Sequence, residues 1–298
     1  MNNNYVDVAR KRVLSEQRLR PEITRMHNRV FRGIRGLIVD FYEDYAEDGK
    51  VSKQESRKRL SRSEQVALRK TLSVFRELAE ERKLVWRTRR NLRRLKTNIS
   101  RYKALETNID MLLFDLSREE EILFLNHLKR VIKNSYSENV KLIAHQSNAP
   151  LQDERIEEEQ IDEILAYVFH GMNWRDRIWK NKMNVLHSDL RRAIELGLMQ
   201  GYTESEIIYQ LRERLEKGER RAFGLITSES CLMFMLAFLW AADKYKKKRF
   251  RYLNDLESNV CEACLALHNT ILTRREIRPG ENAPSMHPRC ACILAAEP

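Results

Sequence analysis

Glycine and proline are scarce in this chain, nine and six in 298 residues, which argues against a sheet-rich fold and for long helices. The most apolar stretch, Cys231 to Ala242, is 12 residues long, whereas a bilayer span needs about 20. It reads as a buried helix, with Cys231 as one small buried hydrophobe. The first residues, Met1-Asn2-Asn3-Asn4-Tyr5, lack a basic segment followed by an apolar one, so no secretory leader is expected. Clustered cysteines without a leader point to reduced thiols in a cytoplasm, available for metal. Several catalytic signatures are missing as well. His-Glu-x-x-His is absent, and so is Gly-x-x-x-x-Gly-Lys-Ser/Thr. None of His145, His170 or His187 begins the His-x-Glu that a zinc deaminase needs. A non-enzymatic protein is the expectation.

What is present is concentrated at the end. Cys261-Glu262-Ala263-Cys264 is followed, 22 residues later, by His287-Pro288-Arg289-Cys290-Ala291-Cys292. Cys-x-x-Cys brings two thiolates to one ion from a single tight turn, and the His/Cys close supplies the other half. Tetrahedral Zn²⁺ with sulfur and imidazole ligands suits that pairing, and four such ligands make a closed, structural site. Cys261, Cys264, His287, Cys290 and Cys292 are five candidates for four places. If Ala291 is extended, Cys290 and Cys292 share a face, and spacing does not choose between them. The competing reading is a set of buried thiols or a disulfide.

Charge is as uneven as cysteine. The chain carries a net charge of +12, and residues 51–100 hold sixteen Lys/Arg against five Asp/Glu. Arg82, Lys83, Arg87, Arg89, Arg90, Arg93, Arg94, Lys96, Arg101 and Lys103 form a run with no acid among them, and Trp86 and Tyr102 are interleaved. On a helix, Leu92, Leu95, Ile99 and Tyr102 share one face and leave most of the cations on another. Such a stripe neutralises phosphates without reading sequence, which implies non-specific binding to double-stranded DNA. A solvated face, or one docked on an acidic protein, is the plainer alternative.

Helices dominate the rest. Apolar residues from Ile23 to Phe41 follow the three-and-four spacing of a helix over Pro21–Ala46. Ser52-Lys53-Gln54-Glu55 and Ser61-Arg62-Ser63-Glu64 have the form of capping boxes. Further helices are expected over 102–131, 159–170, 174–200, 204–217 and 220–243. Arg249 to Leu253 alternates like a strand, with 270–272 or 292–294 as its partner. The expected fold is mainly α: a long-helix N-terminal region and a small C-terminal α+β module stapled by zinc. As domains this gives a basic helical region at 1–150, a helical body at 151–243 and the zinc-binding module at 244–298.

The ending resembles the phage Mu F-like minor head proteins, a portal-associated head morphogenesis family. The resemblance rests on the Cys-x-x-Cys, the loop Pro279-Gly280-Glu281-Asn282-Ala283-Pro284 and the His-Pro-Arg-Cys-Ala-Cys close. Ala291 stands where the family tends to have Arg, and Leu267-His268-Asn269 where it tends to have Leu-Asp-Gly. Upstream, Asn173 to Asn181, Gly201 to Glu206 and Ser228-Glu229 are similar to family segments, as is Tyr45 to Ser52 near the start. The resemblance implies a minor capsid protein acting in head or procapsid assembly, with the portal protein and capsid or scaffold proteins as partners. The implied location is the virion, in the head interior or portal region, and the host cytoplasm during assembly, with no membrane. Trp174, Arg177 and Trp179 are candidates for a portal-contact patch, since Trp and Arg are enriched at hot spots, with core packing the plainer reading of each Trp taken alone. The rivals are a zinc-stabilised nucleic-acid-binding protein without a virion role, and a metal-dependent nuclease or hydrolase.

Overall fold

A computed structural model describes residues 3–81, 99–254 and 261–297. Its elements in chain order are α1 (Asn3–Gln17), α2 (Arg20–Tyr45), α3 (Lys53–Arg57), α4 (Arg62–Glu81), α5 (Arg101–Gln146), α6 (Glu158–Leu165) and α7 (Trp174–Trp179). A π-helical turn (Lys180–Leu186) leads into α8 (His187–Gln200) and α9 (Glu204–Lys244). The ending is β1 (Arg249–Leu253), α10 (Glu262–Ala266), β2 (Ile271–Thr273) and β3 (Ile293–Ala296). The fold is mainly helical, with one small antiparallel sheet.

Local chemistry sets most boundaries. Ser52 caps α3 by accepting from the Glu55 N–H at 3.1 Å. At α4 the exchange runs both ways, Ser61 Oγ accepting from Glu64 N–H and the Glu64 carboxylate from Ser61 N–H. Gly201, at φ +68°, closes α8, and Thr203 and Glu206 then cap α9 reciprocally. Two helices outrun the sequence reading. α5 continues beyond 131 because Ile132, Tyr136, Val140 and Ile143 keep its stripe buried. α9 does not break near 217–220. Gly218 is there for close packing, since a Cβ would lie 3.1 Å from Leu186.

The described chain forms two compact units, each built from separated segments: residues 1–24, 119–179 and 219–298, and residues 25–118 and 180–218. The sequence reading divided the chain consecutively at 150 and 243. The structure groups it otherwise because α2, α5 and α9 are long enough to give part of their length to each unit.

In the first unit, the apolar half of α9 is buried on every side: Cys231, Met233, Met235, Ala237, Phe238, Ala241 and Ala242 are all covered. By length and composition α9 is apolar enough to cross a bilayer, contrary to the expectation drawn from the 12-residue run, but 78 % of its apolar 18-residue stretch is inside the protein. A helix apolar all round and covered all round is a core helix. Around it pack Phe124, Leu128 and Ile132 of α5, Ile161 and Ile164 of α6, Trp174 and Ile178, and the sheet. In the sheet β1 lies between β2 and β3, so both proposed strand partners are used. Phe250 and Tyr252 point inward, while Arg251 grips Glu297 at 2.7 and 3.1 Å.

The second unit has its own core of Ile34, Ile38, Leu113, Leu190, Ile207 and Leu211. Here α8 and α9 approach so closely that a Cβ on Gly197 would lie 2.8 Å from Ile207 Cγ1 and 2.9 Å from its Cδ1. Gly197→Ala is therefore expected to destabilise the protein by about 1 to 2 kcal/mol, overpacking outweighing the gain in helix propensity. Urea denaturation checks this, and an unchanged or higher midpoint would refute it.

Candidate metal centre

The Cys-x-x-Cys forms as a helix cap. Cys261 precedes α10 with extended backbone, and its Sγ accepts from the Cys264 N–H at 3.4 Å. That contact turns both thiols to one side. Cys264 is fully buried. The His287 Nε2 lies 3.3 Å from its sulfur, and the Tyr252 phenol of β1 donates to it at 3.4 Å.

Donor atoms of Cys261, Cys264 and His287 all lie within 4.8 Å of one another, and so do those of Cys264, Cys290 and Cys292. All five residues named from sequence are therefore brought together, with Cys264 common to both groups. Cys290 and Cys292, on either side of Ala291, both lie near Cys264, so both remain candidates for the fourth place.

The donor set fits a thiophilic, borderline-soft ion. His287 Nδ1 is 3.0 Å from the Pro288 carbonyl. With the ring proton assigned to Nδ1, that contact leaves the Nε2 lone pair facing the sulfurs, the usual second contact of a metal-bound imidazole. Among the thiols, Cys290 is held far below the ordinary range by hydrogen bonds from Cys231 and Cys292. Burial pushes the Cys264 thiol up to about 11, and Cys292 is raised by its bond to Cys290. Thiols packed this closely push one another's titration apart, and a divalent ion would favour the thiolate at each of them.

Cys231 belongs to this surrounding. It is buried in α9, donates to the Cys292 carbonyl at 3.8 Å and bonds Cys290. Reading it as a mere hydrophobe missed that, and nothing in its local sequence gives it away.

Residues far back in the chain hold the site's loops. Ser228 Oγ accepts from the Arg289 N–H at 3.2 Å, fixing a left-handed residue (φ +64°) between His287 and Cys290. Asn282 accepts from Arg278 N–H at 2.7 Å and donates to the Glu276 carbonyl at 2.8 Å. Gly280, at φ +81°, lies so near Phe169 that a Cβ would be 2.8 Å from its ring. Arg177 in turn donates to the Phe169 carbonyl and lies 2.8 Å from Glu229, next to Ser228.

That places the proposed partner patch in detail. Trp174 is buried in the first core. Trp179 is half-buried and donates its indole N–H to Glu121 at 3.0 Å, and Arg177 is engaged by Phe169 and Glu229. The exposed residues of this helix are Arg175 and Asp176. Of the basic stripe, Arg82, Lys83, Arg87, Arg89, Arg90, Arg93, Arg94 and Lys96 lie outside the described residues. Arg101 pairs with Glu55 and stacks on Tyr45, while Lys103 pairs with Glu106.

Residues 188–295 match the family model described as phage Mu protein F like protein. No curated protein and no solved structure matches the chain significantly.

Burial raises the Glu229 carboxyl to about 7 against the pull of Arg177. A carboxyl whose folded value lies above its unfolded one contributes stability that is complete below about pH 4.5 and lost as pH rises through about 7. The melting temperature should therefore fall between pH 5 and pH 8, and Glu229→Gln should flatten that fall; a variant with the wild-type slope would refute the assignment.

Proposed function

We propose, from the match of residues 188–295 to the phage Mu F-like family model, that this chain is a non-enzymatic minor head protein that joins the portal or the procapsid interior during head assembly. The observation that carries the reading is convergence. Of the segments that resemble the family, most of 173–181 and those at 228–229, 261–264, 279–284 and 287–292 meet in one unit around one cluster of thiols, while those at 45–52 and 201–206 belong to the other unit. Such an arrangement serves to hold a shape. Four sulfur and nitrogen ligands would fill a tetrahedral ion's shell and leave no open position for turnover.

Zn²⁺ is the ion proposed, held by Cys261, Cys264, His287 and one of Cys290 and Cys292. Bound there, it would supply cross-linking between α10 and the chain's end. The protein's own residues do the rest: His287 is oriented by the Pro288 carbonyl, Cys264 by Tyr252, and the closing loop by Ser228. DNA contact is assigned to the basic stripe between Arg82 and Lys103, on its charge alone.

Protein purified without chelator should contain about one zinc per chain. Cys264→Ser should lose the metal and expose the apolar half of α9 to a hydrophobic dye, whereas Cys231→Ser should keep it. Metal-free protein with an intact ending would dismiss zinc.

The role is tested in infected cells. Removing the chain should yield empty or misassembled heads, and the tagged chain should co-purify with procapsids and portal protein. Normal, filled and infectious heads assembled without it would end the assembly reading, whatever metal the chain binds.

A further inference from the structure

A cavity of about 250 Å³ opens among α1, α5 and α9 within the first unit, lined in part by Lys11, Arg12, Arg130, Asn134, Glu138 and Phe234. Its charged lining is three cations against one carboxylate. Arg12 is 5 % exposed and lies over the Phe234 ring at 5.5 Å.

The charge of Arg12 is met by the Cys231 thiol, to which it hydrogen-bonds, by Glu16 and by Cys290. Glu16 Oε1 is 3.2 Å from Nη1, yet Nε, Nη1 and that oxygen all lack a hydrogen-bond partner, so the contact is out of line. The carboxylate contact is the loose one, and the guanidinium remains a full positive charge set in a low-dielectric wall. The neighbouring His127 imidazole registers that field, being held down to about 4 by burial together with the charges of Arg130 and Arg12.

The hydroxyls around the cavity are already committed. Ser15 donates to the Arg12 carbonyl at 2.6 Å, Ser135 to the Phe234 carbonyl at 2.9 Å and Ser137 to Glu154 at 3.1 Å. That leaves Lys11, Arg130 and Asn134 as rim donors, Lys11 meanwhile held by Glu138 at 2.9 Å. Donors arriving from two helices above a buried guanidinium suit a tetrahedral oxyanion, which accepts from several directions at once; a planar carboxylate suits a single arginine fork.

We propose that this cavity binds a phosphate group, either free or terminal on a nucleotide or DNA end, with Lys11 and Arg130 at its rim and Arg12 charging its floor. It is independent of the head-assembly reading.

The test is calorimetric titration of the full chain with inorganic phosphate at constant ionic strength. Saturable one-to-one binding is expected, weakened about tenfold by Arg130→Gln and by Lys11→Gln. Both changes are at exposed positions, so they carry the test even if Arg12→Gln fails to fold. Absence of saturable binding, rim variants that bind normally, or acetate binding as tightly as phosphate would each overturn the proposal. The source is read by competition. Displacement of phosphate by a 5′-phosphorylated oligonucleotide but not by its 5′-hydroxyl counterpart supports a nucleic-acid end. Displacement by neither supports a free ion or small ester. Equal displacement by both overturns the site in favour of general polyanion attraction.

Discussion

The structure of the C-terminal half turns on one sulfur. Cys264 belongs to both groups of donors, and it reaches them from a helix of only five residues. So short a helix has no stability of its own. It is fixed by its cap at Cys261 and by Tyr252, which comes from the central strand. The sheet is equally small, with three to five residues per strand. Such elements persist because the fully covered half of α9 supplies the core against which they lie, and because the thiols gather the loops between them. Apolar burial and thiol chemistry meet at Cys231, which is part of both.

The polar interior around this core is less comfortable. Arg12 with Glu16, and Arg177 with Glu229, are buried ion pairs whose hydrogen-bond geometry is incomplete. Desolvating both charges of a pair usually offsets much of their attraction. Their value here is placement. The Arg177 pair ties the turn at Phe169 to the stretch of α9 that holds Arg289, and so sets the approach of the closing loop.

Much of this was legible in the sequence. Caps announced α3 and α4, alternation announced β1, and the paired Cys/His spacing announced five donors that do converge. The misses have physical reasons. Gly218 looks like a helix breaker, but a glycine also permits close approach, and only the packing of Leu186 distinguishes the two. The π-helical turn at 180–186 has no signature in periodicity. Cys231 looked like any small apolar residue because its partners are some sixty positions away. Of the two readings open for Trp174, burial takes the core one, while Glu229 engages Arg177.

The family match begins at residue 188, and the parts that hold its ending lie earlier. A fragment trimmed to the match would carry all five cysteines and His287. It would also lose Phe169 from beside Gly280, Arg177 from beside the buried Glu229, and α1 from its place against β3. The matched segment is thus not a separable module. Its residues are drawn from both compact units, and the N-terminal helix and the 169–179 turn are as much a part of the C-terminal architecture as the cysteines are.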